Sequence, residues 1–186
     1  DTNQTNLVPI YPGIVQWANL SGDEYLDLVT IGSDVNGELG MRVYLNNPNY
    51  ILTNGVTWES NLFGVTSGAI AVADYNSDGL DDFALTGLKQ TDELVAFILT
   101  NSDKTKFEVK SGHFLQGAYY GKPAWGDYDS DGDLDLLVTG NSNTQGESGL
   151  GSEPITIIYN QQSDESFVLD NALSLDSVGT SFSQWC

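Results

Sequence analysis

Residues 125 to 140 read WGDYDSDGDLDLLVTG, with five aspartates inside nine positions, set directly against an apolar run. Carboxylates this close repel one another, so the loop is either a solvated turn or a cradle for a cation. The pattern D-x-D-x-D-G-x-x-D favours the cradle. A hard cation such as calcium takes six to eight oxygens at about 2.3 to 2.6 Å, and alternate side chains of a tightly wound loop supply them. On this reading Asp127, Asp129, Asp131 and Asp135 offer side chains, Asp133 offers its backbone carbonyl, and Gly132 permits the sharp bend.

The same chemistry occurs again 53 residues upstream, where VADYNSDGLDDFALTG at 72 to 87 aligns without a gap. Its ligand set is Asp74, Asn76, Asp78, Leu80 through its carbonyl, and Asp82. A third copy, WANLSGDEYLDLVTIG at 17 to 32, sets Asn19, Ser21, Asp23 and Asp27 in the same frame, 55 residues before the second. It has fewer charges, and Glu24 replaces the bending glycine, so this site is expected to be weak or empty. Calcium is therefore expected at two loops. An EF-hand begins alike but needs a bidentate acid at its twelfth position, and the residues there are Leu85 and Val138, inside apolar runs that end at Gly87 and Gly140. Each loop joins two strands.

Around each loop the chain reads as four short strands separated by glycine, asparagine and serine clusters. The run after the loop is apolar almost throughout, which implies burial on both faces and stacking of one small sheet on another. Four-stranded units at this period predict an all-β chain of propeller-type blades. The first is expected over about 12–62, the second over about 66–112 and the third over about 118–173, with extra strands leading at about 5–11 and trailing at about 179–185. Trp185 falls where Trp125 and Trp17 fall in the earlier units. Three units are fewer than the four to eight of a closed propeller, so an incomplete propeller, or an array completed by neighbours, is expected. Self-association through the terminal strands follows, into a ring or a filament.

Composition sets the context. Against 26 acidic residues stand 6 basic ones, a formal net charge of −20 that argues against nucleic acid and anionic membranes as partners. No apolar run is long enough for membrane insertion. Abundant Asp, Asn, Ser, Thr and Gly with little Lys suit an extracellular or cell-surface protein that can draw on calcium. The single cysteine, Cys186, excludes an internal disulfide and leaves metal as the stabiliser. N-glycosylation acceptor sequences begin at Asn3 and Asn19. No Ser/His/Asp or Cys/His arrangement is recognisable, and His113 is the one histidine, so no enzyme is expected. Trp58, Tyr119 and Tyr120 are candidates for contact with carbohydrate or protein, against a plain packing role.

The loops and the strands that follow them resemble the FG-GAP (VCBS) repeat, the blade of integrin α-subunit propellers and of many secreted proteins. Phe63–Gly64 and Gly68–Ala69 echo the repeat's name, with Ile70 where proline is expected, and HFLQGA at 113 to 118 is a looser version. The resemblance covers nearly the whole chain. It implies calcium at the second and third loops and a noncatalytic structural, adhesive or binding role, as in a surface fibre. The alternative it implies is the propeller domain of a secreted carbohydrate-active enzyme or lectin.

Overall fold

The computed structural model describes residues 7–49, 52–57, 64–104, 107–110, 115–142 and 153–179. Asn3, Trp58, His113, Trp185, Cys186 and all but Gly179 of the expected trailing strand lie outside them. The described chain is all-β, as expected, in three four-stranded antiparallel sheets.

Each sheet is a meander in chain order. The first holds β1 (Gly13–Ala18), β2 (Asp27–Ser33), β3 (Leu39–Leu45) and β4 (Thr53–Thr57); the second β5 (Thr66–Ala73), β6 (Asp82–Leu88), β7 (Leu94–Asn101) and β8 (Phe107–Val109); the third β9 (Pro123–Gly126), β10 (Asp135–Asn141), β11 (Pro154–Gln161) and β12 (Phe167–Leu169). The acidic loops are the β1–β2, β5–β6 and β9–β10 connections. Antiparallel pairing holds the two ends of each loop together: Ala18 faces Asp27, Ala73 faces Asp82 and Gly126 faces Asp135. Residues 7–11, the described part of the expected leading strand, belong to no strand. Tyr11 instead donates its amide to the Ser33 carbonyl at 2.8 Å, and Val8 donates to the Tyr44 hydroxyl at 3.0 Å.

The apolar β6 is buried because both faces of the middle sheet are covered, and β2 and β10 each pack one face against it. Val29, Ile31 and Met41 of the first sheet pack with Ile70, Phe83, Leu85 and Leu99 of the second. The opposite face of the second, with Ala71, Ala84 and Ile98, packs with Leu136, Val138 and Tyr159 of the third. Alternation along each strand divides one apolar run between two interfaces.

Lead-in segments wedge into these seams, and their glycines explain the motif glycines of the sequence. A Cβ on Gly64 would lie 2.6 Å from the Leu39 carbonyl carbon, and one on Gly117 would lie 2.5 Å from that of Leu94. Only glycine lets the lead-in press this closely on the preceding sheet. Side-chain amides then cross the seams at equivalent places. Asn101 Nδ2 donates to the Leu20 carbonyl at 2.9 Å, and Gln161 Nε2 donates to the Tyr75 carbonyl at 3.3 Å.

Candidate metal centre

The third loop gathers its acids. Carboxylate oxygens of Asp127, Asp129 and Asp135 all lie within 4.8 Å of one another. Two left-handed residues wind the loop, Ser130 (φ 63°) and Gly132 (φ 98°). The winding turns amides inward: Asp131 N–H donates to Asp127 Oδ1 at 3.1 Å, Gly132 N–H to Asp127 Oδ2 at 3.2 Å, and Asp133 N–H to Asp131 Oδ1 at 2.9 Å. Asp131, also expected as a ligand, uses Oδ1 for this turn and is not one of the three carboxylates that converge within 4.8 Å. Asn160 of β11 reaches over and donates to Asp129 Oδ2 at 2.7 Å.

The second loop repeats the winding at Ser77 (φ 58°) and Gly79 (φ 90°). Asp74 accepts the Asp78 and Gly79 amides, each at 2.9 Å, and Asn76 Nδ2 donates to Asp78 Oδ2 at 3.1 Å. Leu80 is buried, with its amide on Asp78 Oδ1 at 2.9 Å.

The last aspartate of each loop, Asp27, Asp82 or Asp135, is fully buried. Its Oδ1 accepts the amide at the far end of the next hairpin, from Asn46 at 2.8 Å, Asn101 at 2.8 Å and Gln161 at 2.9 Å respectively. This structural duty escapes a ligand-by-spacing reading, because the donors lie 19 to 26 residues downstream. Only Oδ2 is left to face the loop, and its partners differ. Asp27 Oδ2 takes the Leu20 and Ser21 amides, both at 3.0 Å. Asp135 Oδ2 takes the Tyr128 amide at 3.0 Å. Asp82 Oδ2 is buried without a hydrogen-bond partner.

Electrostatics follow these differences. Burial, with Asp78 and Asp74 adding repulsion, pushes the Asp82 carboxyl up to about 7, although the Asn101 amide and, weakly, the Tyr75 amide oppose it. Burial also raises Asp135, less effectively because the Gln161 and Tyr128 amides favour its charge. A divalent cation would relieve both. The oxygen-only donor sets, the converging carboxylates of the third loop and the orphaned Asp82 oxygen of the second fit calcium.

The first loop does not gather. Among its residues Gly22 alone is left-handed (φ 69°), so the second bend is missing where Glu24 stands. Asn19 Oδ1 accepts the Gly22 amide at 3.0 Å and Asp23 Oδ1 accepts the Tyr25 amide at 2.8 Å. Ser21 Oγ is buried without a partner. A Cβ on Gly22 would meet Lys104 Nζ at 3.0 Å, so an ammonium from the second unit already lies against this loop. Asn19 is also tied through its backbone to Asp81, whose amide donates to the Asn19 carbonyl at 2.9 Å.

The aromatic candidates separate. Tyr119 is buried, whereas Tyr120 is 52% exposed with φ 54°, its ring 4.8 Å from that of Tyr119. Trp125 lies parallel to Tyr75 across the seam at 5.5 Å and donates Nε1–H to the Ala71 carbonyl at 3.3 Å.

Comparison with curated proteins gives no match. Among solved structures, the chain is similar to a lectin of Agrocybe aegerita described as specifically recognising non-reducing terminal N-acetylglucosamine. The TM-score is 0.51 and the identity 16%, over 83% of this chain and 37% of that one. At that identity the likeness is one of fold, an all-β propeller-like stack, and this chain spans little more than a third of the lectin's length. A family model described as FG-GAP-like repeat matches residues 74–138, from the first acid of the second loop into β10. With two wound acidic loops, each feeding a buried central strand, and that match across both, residues 74–138 carry an FG-GAP-like repeat.

Proposed function

We propose that this chain is a calcium-stabilised, extracellular propeller-type module with a noncatalytic structural, adhesive or binding role inside a larger assembly such as a surface fibre. The observation that carries the reading is the convergence of Asp127, Asp129 and Asp135 within 4.8 Å. Asp74, Asn76, Asp78, Leu80 and Asp82 form the second site, and the orphaned Asp82 oxygen supports it. Bound calcium supplies positive charge to these acids and ties each inner-strand loop to its central strand. The chain's own residues do the rest: left-handed turns aim the carboxylates, and the seam amides lock each loop to its neighbour.

The test is calorimetric. Calcium titrated into chelator-treated protein should bind at two sites and raise the melting temperature. At 100 times the dissociation constant each site adds about 2.7 kcal/mol. Identical unfolding curves in chelator and in excess calcium would sink the proposal.

A second reading, carbohydrate binding, draws on exposed Tyr120, whose ring could stack on a sugar face, and on the lectin likeness. A glycan array read with wild type and Tyr120→Ala checks it: loss of a specific signal in the variant supports the reading, and no signal in either defeats it.

A further inference from the structure

The two wound loops differ in what holds the side chain at the third place of the motif, Asp129 in one and Asn76 in the other. Asp129 is exposed, yet it is held at both oxygens. Its Oδ1 accepts the Asp131 amide at 3.3 Å, and its Oδ2 accepts Asn160 Nδ2 at 2.7 Å. The first bond belongs to the loop; the second comes from β11, 31 residues downstream.

Asn160 is itself oriented. Gln162 Nε2 donates to Asn160 Oδ1, which turns the amide nitrogen toward Asp129, the one orientation an ionised carboxylate can accept from. The backbone on either side is fixed. Tyr159 pairs with both Leu136 and Leu169, Gln161 donates its amide to Asp135 Oδ1 at 2.9 Å, and Gln162 donates its own to the Ser166 carbonyl at 2.7 Å. A relay thus runs from the β11–β12 hairpin through Gln162 and Asn160 to Asp129, one of the three carboxylates that converge within 4.8 Å.

The second loop is built differently. Thr100 precedes Asn101 as Asn160 precedes Gln161, but its Oγ1 lies 2.8 Å from the Tyr75 hydroxyl. Asn76 turns inward, with Nδ2 on Asp78 Oδ2 at 3.1 Å and Oδ1 accepting the Asp78 amide at 3.2 Å.

We propose that Asn160 is a positioning residue for calcium at the third loop: oriented by Gln162, it holds Asp129 in the converged arrangement before the cation arrives. This role rests on the calcium reading of the loop and locates part of its affinity outside the loop. An exposed carboxylate samples several rotamers, and one already restrained loses less freedom on binding. The hydrogen bond also draws charge from the carboxylate, which opposes binding. Outer partners of metal ligands nevertheless contribute a factor of about 10 to 100 in affinity, so positioning outweighs that loss.

Calorimetric titration of calcium into chelator-treated protein carrying Asp74→Ala, which silences the second loop, reads the third loop alone. Adding Asn160→Ala should weaken binding about 10-fold or more, while the melting temperature in chelator stays that of the parent. Gln162→Ala should weaken binding by less, and should cost nothing further on top of Asn160→Ala, because its effect passes through Asn160. Asn160→Gln, which keeps an amide donor, should recover part of the loss. In an Asp127→Ala background, which leaves the second loop, Asn160→Ala should not change the affinity. Unaltered third-loop affinity, or an equal loss at both loops, overturns the positioning role and leaves the calcium reading standing. A chelator melting temperature that falls with the affinity marks a merely structural role and overturns it too. If Asn160→Ala fails to fold, Gln162→Ala decides, and unchanged affinity there overturns the relay. A parent that binds no calcium overturns the metal reading of the third loop and this role with it.

Discussion

The first and second acidic loops share a frame, yet one buried carboxylate is settled and the other is not. Asp27 shares its Oδ2 between two backbone amides, whereas Asp82 Oδ2 is buried without a partner and burial pushes the carboxyl up to about 7. The lesson is that the position is structural first and metal-binding second. All three copies anchor a hairpin amide with Oδ1, and they differ in what meets Oδ2: two amides at Asp27, one at Asp135 and none at Asp82. The second left-handed turn is present at Gly79 and Gly132 and missing where Glu24 stands.

The sharpest way to break this comparison is to remove the shared anchor. Asp27→Ala and Asp135→Ala should both destabilise strongly, each leaving buried amides unpaired at about 1 to 3 kcal/mol apiece. Chemical unfolding checks this. In chelator Asp27→Ala should cost as much as Asp135→Ala, and a negligible loss at Asp27 would refute the structural role. Next comes the calcium-dependent increment. Asp127→Ala and Asp74→Ala should lose it for their site, about 2.7 kcal/mol at 100-fold excess over the dissociation constant, while Asp23→Ala keeps it. Equal losses at all three would erase the distinction between loops.

A smaller effect sharpens the contrast through pH. In chelator Asp82 holds its proton to about pH 7 in the folded chain, and the unfolded chain releases it near the ordinary 3.8. Between those values the native state binds more protons, so stability falls as pH rises through the window and the loss is complete above it. Asp135, also raised, adds in the same direction. Melting temperature against pH should therefore be flatter for Asp82→Asn than for wild type in chelator. A parallel pair of curves would contradict the buried, unpaired oxygen. The smallest expected effect is spectroscopic: the Asp170 hydrogen bond raises the Tyr128 phenol to about 12, and Asp170→Asn should lower its ultraviolet titration midpoint.

Much of this was legible in the sequence because repetition supplies its own alignment. The ungapped match of 72–87 to 125–140 located the loops, and the apolar runs at 83–85 and 136–138 located the buried central strands. What stayed hidden depends on partners far along the chain. Nothing near Asp82 announces that Asn101 donates to it, and nothing near Trp125 reveals Tyr75 beneath it. The scarcity of acids in the first loop was visible, but Lys104 lying against Gly22 was not, since that lysine belongs to the next unit. Nor could spacing show that Asp131, read as a ligand, would also hold the Asp133 amide through Oδ1.

The lead-in glycines carry one further consequence, for biosynthesis. Gly64 and Gly117 seat each new unit on the preceding one, and the seam amides of Asn101 and Gln161 bond back only 81 and 86 residues. A chain leaving the ribosome can therefore complete its first sheet and bury one face against the second before the third has been translated. Each nascent blade templates its successor, so a synonymous pause between units should leave a compact partial stack with one raw edge instead of a tangle, and it is that edge, more than the finished molecule, that a chaperone would need to shield.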